Sequence, residues 1–452
     1  YDIYNSANQY VTGTSSDVEF TIDNTGTYLL VAQGNSSAVE DYSFSFNLAT
    51  PETTTQELIL GNVVSSSIGE PGEEDIYTFE GAVGQTIYFD GISGSSSIDA
   101  RLVSPSGQIL YSFQNVNNDD DSPVTLTEAG TYQLEIDGSG ITTGDYSFRL
   151  LDTASATELV LDTPTTGALD ASLGTNLYSF NVAEDGQKFY FDELSDPNND
   201  VYFTIYNSAN QNVSGGSSDR EFTLDNAGTY LIAAEGYSGQ TVDHEFSFNL
   251  ITPEITTQEL NLGNVVAGNI SEPGEEDIYT FEGEVGQTIY FDGISGDFSI
   301  DARLVSPSGN DVFTFQNVNG DRAPVTLAEA GIYRLEIDAV TETIGDYQFR
   351  VLDVEQAPLL NFDTSITGSL TARNSQVFKF EGTSGQTLSF SELGSTSGGI
   401  YRIYDDANQL ILNRGFSGSV TDVTLELPSD GTYTLVLFSN SNNSLDYNFQ
   451  VG

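Results

Sequence analysis

The 452-residue sequence contains no cysteine, no methionine and no tryptophan. Without thiols there is no disulfide scaffold and no thiolate metal site, and external oxidants find no sulfur to modify. Histidine occurs once, at His244, and lysine twice, at Lys188 and Lys379. The lack of a thiol removes the Cys-His nucleophile systems, and a Ser-His-Asp triad would have to rest on His244, which stands in place of a framework aromatic. Basic residues number 12 against 67 acidic ones, for a formal charge of -55. A chain so short of cations has no basic face with which to displace counterions, so nucleic acid is excluded as a partner, as is an anionic membrane. No apolar run approaches the ~18 residues of a membrane span, and no membrane insertion is expected.

What the chain does hold is repetition. Gly72 to Gly107 recurs as Gly274 to Gly309, with only Ala82/Glu284, Ser95/Asp297 and Ser96/Phe298 differing over 36 positions. Inside this stretch apolar residues fall on every second position, as in Tyr77 and Phe79, Ile87 and Phe89, or Ile98, Ala100 and Leu102. Period 2 is the strand period, and Ser104-Pro105-Ser106-Gly107 is a turn between strands. In Gly130 to Asp137, Tyr132, Leu134 and Ile136 alternate with Gln133, Glu135 and Asp137, so one face is buried and the other wet. Many short strands with frequent turn signals predict an all-β chain of tandem antiparallel β-sandwich, jelly-roll-like domains.

Two repeat types alternate. Type A covers 51–153 and 252–354, and type B covers 154–251 and 355–452. Residues 1–50 match the second half of B, since Ile3 to Gln9 recurs as Ile205 to Gln211. That half lacks the counterparts of 154–202, so Phe20, Ile22, Tyr28, Leu30, Phe44 and Phe46 are expected to present an uncovered apolar face. The linking segments around Pro51 and Pro253 carry no Gly-Ser tract, which predicts semi-rigid joints and an arrangement as a rod or filament. His244 aligns with Tyr42 at the 202-residue offset and so replaces a framework aromatic.

The order of these features resembles the bacterial pre-peptidase C-terminal domain. The resemblance rests on Asp75-Ile76-Tyr77-Thr78-Phe79, Gly84-Gln85, Ala129-Gly130-Thr131-Tyr132 and Gly144-Asp145-Tyr146-Ser147-Phe148, and it extends over essentially the whole chain. It implies a β-sandwich of a secreted protein; members often trail a protease, and some bind calcium or matrix proteins. The chain departs from the family in lacking the acidic Glu-Pro-Asn-Asp segment before Leu58 and Leu260.

Calcium is the candidate cofactor, because a hard cation wants carboxylate and carbonyl oxygens clustered on a turn. Two places supply them. Glu70, Glu73, Glu74 and Asp75 precede the first aromatic strand and recur as Glu272, Glu275, Glu276 and Asp277. Asn117, Asp119 and Asp121 alternate as loop ligands would, whereas the second copy reads Asn319, Asp321 and Ala323 with Arg322 between. Carboxylate pairs for glycosidase chemistry carry no weight here, because 67 acids make chance pairs unavoidable.

The sequence thus supports a non-enzymatic, extracellular structural repeat protein at the cell surface or secreted: a segment of a long surface fibre, adhesin stalk or sheath. Its expected partners are neighbouring copies or repeats in a filament, a surface polymer or a matrix protein. Two other readings are the accessory binding modules of a secreted hydrolase and a calcium-dependent surface-layer protein.

Overall fold

A computed structural model describes residues 1–18, 20–34, 43–113, 115–117, 122–169, 174–197, 199–236, 244–315, 317–340, 342–395, 398–416, 422–439 and 444–452. Strands dominate these residues, and the helical elements among them are two single 3-10 turns, Thr153–Ser155 and Val354–Gln356. Among the described residues no helix is long and apolar enough to cross a membrane.

In the first A repeat, one sheet takes its strands in the order Thr53–Glu57, Glu74–Gly81, Gly130–Gly138, Ile98–Val103 and Ile109–Phe113. A second sheet runs Val124–Thr125, Thr86–Ser93, Gly144–Asp152 and Val64–Ile68. Residues from both sheets meet in one core, including Tyr77, Phe79, Leu134 and Ile136 from the first and Phe89, Tyr146 and Phe148 from the second. The alternation in Gly130–Gly138 appears as expected, with Tyr132, Leu134 and Ile136 fully buried and Gln133 exposed. The second A repeat has the same strand orders. Its register matches as well: Phe79 faces Tyr132 in the first copy and Phe281 faces Tyr333 in the second. Tyr279, Phe281, Tyr333 and Phe349 are buried like their counterparts.

The expected fold class requires correction. The chain is not a row of tandem antiparallel, jelly-roll-like β-sandwich domains. The larger A sheet is mixed, because Thr53–Glu57 pairs parallel with Glu74–Gly81, as Ile255–Glu259 does with Glu276–Gly283. Thr157–Glu158 joins the first B repeat in the same parallel sense. A parallel neighbour needs a crossover. Here the crossover is a strand of the other sheet: the chain leaves Glu57, buries Leu58, turns at Gly61, crosses as Val64–Ile68 and returns as Glu74–Gly81. Period-2 patterning carries no information on the direction of the neighbouring strand, so the sequence could not reveal this. Compactness also divides the chain in two, not into separate repeats. One unit holds 1–187, 193–218 and 222–250; the other holds 188–192, 219–221 and 251–452.

In residues 1–50 the described strands are Asp2–Tyr4, Tyr10–Gly13 and Leu29–Val31, a three-stranded sheet. Phe44 and Phe46, stacked at 6.4 Å, are 64% and 61% exposed. Their counterparts Phe246 and Phe248 are buried in the strand His244–Ile251, which pairs with Thr165–Leu169.

Candidate cation site and the surrounding acids

The acids that open each A repeat are held apart by separate internal partners. Glu70 accepts the Glu52 amide at 3.0 Å, and Glu73 folds back to accept the amides of Gly69 and Glu70 at 2.6 and 3.0 Å. Glu74 lies 3.4 Å from Arg101, which also binds Glu135. Asp75 is buried and accepts the hydroxyls of Thr54 and Tyr146, the second at 2.5 Å, while Tyr146 meets the Tyr77 hydroxyl at 2.8 Å. Burial, followed by the hydrogen bond to Asp75, raises the Tyr146 phenol far above its ordinary range. Glu272, Glu275 and Asp277 repeat these roles in the second copy. Glu276 differs, because burial raises its carboxyl while Lys188 works in the opposite direction.

Of the second expected group, Asn117 is described, and Asp119 and Asp121 lie outside the described residues. The second copy places Asp321 inside a joint between the A and B repeats. Asp321 accepts the Gly293 amide and the Ser375 hydroxyl, both at 3.2 Å, close to Asp292. A side chain at Gly293 would sit 2.5 Å from the Gly320 amide nitrogen, which is why the loop seats tightly there. Asp292 is fully buried, binds Arg350 at 2.6 Å and accepts the Ser375 amide at 3.2 Å. Arg350 also donates to the Ser375 carbonyl. The first copy builds the same clamp from Asp90, Arg149 and Thr175.

Burial, reinforced by the charge of Asp292, pushes Asp321 up from 3.8 to about 7. The folded state therefore keeps a proton that the unfolded chain releases, and stability falls as pH rises through that interval. In melting runs at about pH 5 and about pH 8, the wild type is expected to lose more stability toward the higher pH than Asp321→Asn. Equal losses would remove Asp321 as the cause.

A different set of acids converges. Among the described residues, one trio of acids brings carboxylate oxygens within 4.8 Å of one another: Asp192, Asp219 and Glu342. Asp192 sits on the strand Gln187–Ser195, Asp219 directly precedes Arg220–Leu224, and Glu342 follows Gly331–Ala339. All three belong to the second compact unit. Beside them is a cavity of about 240 Å³ whose polar lining is Tyr190, Asp219, Arg220, Glu221, Asp301 and Asp338. Tyr190 is fully buried, yet among the described residues its hydroxyl has no hydrogen-bond partner. Lys188 is spent at the rim, 3.1 Å from Glu221 and 3.7 Å from Asp338. Hydrogen bonding to Asp219 raises the Glu342 carboxyl, and burial followed by the Asp219 charge raises Asp192.

No family model matches the chain. No curated protein matches it either. Among solved structures it is similar to the pre-peptidase C-terminal domain of a collagenase from Bacillus anthracis, 19% identical, covering 22% of this chain and 95% of that one, at a TM-score of 0.20. The BSP domain of a biofilm-associated protein is 9% identical and covers 89% of this chain and 98% of that one, at a TM-score of 0.12. Scores this low leave function to be argued from the chain's own residues.

The trio was invisible to local spacing, because its members come from two different repeats and no short motif contains two of them. The one usable signal is that Glu342 stands where the first A repeat has Ile141, three residues before the shared Gly144 and Gly345.

Proposed function

We propose that this chain is a non-enzymatic structural protein of the cell exterior, a stretch of a repetitive surface fibre, adhesin stalk or sheath. The observation that supports this is the twice-built joint between A and B. In each copy a fully buried aspartate, Asp90 or Asp292, is gripped by an arginine of its own repeat and by the residue that opens the strand Thr175–Val182 or Ser375–Gly382 of the following B repeat. Apolar packing surrounds it: Tyr88 with Leu177, Tyr206 and Ala233, and Tyr290 with Val354, Val377, Tyr404, Val436 and Phe438. Asparagines add a further tie, since Asn210 and Asn408 donate to Thr125 and Thr326 at 2.8 and 2.9 Å. A pair packed this way is a mechanical unit, and repeating it extends the chain without a new interface for each addition. The acidic surface suits a screened external medium and repels like-charged neighbours.

The test is electron microscopy of the source cells, labelled with antibody raised against the 452-residue chain. Label on extended surface material is expected. Label confined to soluble particles that copurify with protease or glycosidase activity would overturn the reading.

A further inference from the structure

We propose that Asp192, Asp219 and Glu342, backed by the Tyr190 hydroxyl, form a calcium-class cation site that ties two segments of the first B repeat to the second A repeat. Those segments are 188–192 and 219–221, which belong to the same compact unit as 251–452. The site is independent of the proposed surface role.

Donor chemistry selects the ion. All the converging side chains offer oxygen, and among the described residues no imidazole joins them, which is the ligand set of a hard cation. Carboxylate oxygens within 4.8 Å of one another can share one ion, since calcium holds each ligand at about 2.4 Å. Three carboxylates converging within 4.8 Å repel one another unless a cation or a proton lies between them.

Tyr190 is the second, independent observation. It is fully buried, lines the cavity with Asp219, and leaves its hydroxyl without a partner among the described residues. A buried hydroxyl without a hydrogen bond costs free energy that the protein alone does not return here. Calcium usually keeps some of its water, and a bound water facing Tyr190 would accept that proton. Asp338 points the same way, since its Oδ1 is also buried without a partner at the cavity wall.

The site belongs to one place in the chain. Asp219 has a counterpart in Asp17, but Glu342 is replaced by Ile141 in the first A repeat. One cation of this class is therefore expected per chain at this position, not one per repeat.

The full 452-residue chain is to be titrated with terbium and then with calcium as competitor. No tryptophan is present, so sensitised terbium emission reports ions beside tyrosine. Wild type is expected to show calcium-displaceable emission and a melting temperature that rises with calcium and falls with chelator. Glu342→Gln alters an exposed side chain and should fold normally. It is expected to bind at least about tenfold more weakly. With Asp219→Asn the calcium response is also lost, while the cation-free protein melts higher than wild type because repulsion has been removed. Variants that titrate and melt like wild type would overturn the proposal. So would a wild type whose melting is indifferent to calcium and chelator, which would leave a shared proton as the link between Asp219 and Glu342.

Discussion

Arg149→Ala is expected to lower the unfolding free energy of the first A–B pair by about 3–5 kcal/mol, the usual cost of stranding one member of a buried ion pair. Asp90 is fully buried and has its charge answered by the Arg149 guanidinium. It also accepts the Thr175 amide at 3.3 Å and the Thr175 hydroxyl at 3.2 Å. Arg149 in turn donates to the Thr175 carbonyl, so one substitution breaks both the charge balance and a tie between repeats. Burial already pushes Asp90 up to about 6 against the pull of Arg149. Without the arginine its carboxyl rises further. The deficit is therefore larger at about pH 8 than at about pH 5, where the carboxyl takes a proton. Urea unfolding at both pH values measures this, and a deficit below about 1 kcal/mol at the higher pH would show that the clamp carries no such weight. Replacing Asp90 and Arg149 together by apolar residues of similar volume should recover most of the loss.

Phe148→Ala is expected to cost about 3–5 kcal/mol through lost burial and the cavity left behind. Its ring is fully buried where the two A sheets meet. It lies edge-on to Tyr77 at 5.3 Å and stacks on Phe89 at 5.5 Å and Tyr146 at 6.2 Å. Phe349 is packed in the same way against Tyr279, Phe291 and Tyr347. The parallel substitution there should cost the same within about 0.5 kcal/mol, because the two rings are buried among equivalent neighbours. Thermal and denaturant unfolding of each variant tests this, and a loss under about 1 kcal/mol would mean that the core closes over the gap.

The sequence made the strand faces legible because alternation is a local signal, and Tyr132, Leu134 and Ile136 are buried as that signal requires. Direction of pairing is not local. Thr53–Glu57 has the composition of any exposed edge strand, and nothing in it states that its neighbour runs parallel. The acids show the same division. Asp75 has the residue type and setting of a loop ligand, but its role is decided by Tyr146, brought near only by folding. Asp321 stands in a copy of the loop that Arg322 interrupts, whereas tertiary packing makes it a half-buried member of a joint. Asp192, Asp219 and Glu342 are three acids among 67, separated by long stretches of chain. Only the fold can select them.

The B side of each clamp is chemically undemanding. Its contribution is the amide and carbonyl of Thr175 or Ser375, groups present on nearly any residue, with a small hydroxyl beside them. The specific pair, arginine and aspartate, lies wholly within A. Within the clamp, an A repeat therefore asks of its B neighbour only a small hydroxylated residue at that position, while the rest of the fit is set by the apolar packing around Tyr88 and Tyr290. Duplicating or deleting a whole A–B block would leave each arginine–aspartate pair beside the B residue that it grips.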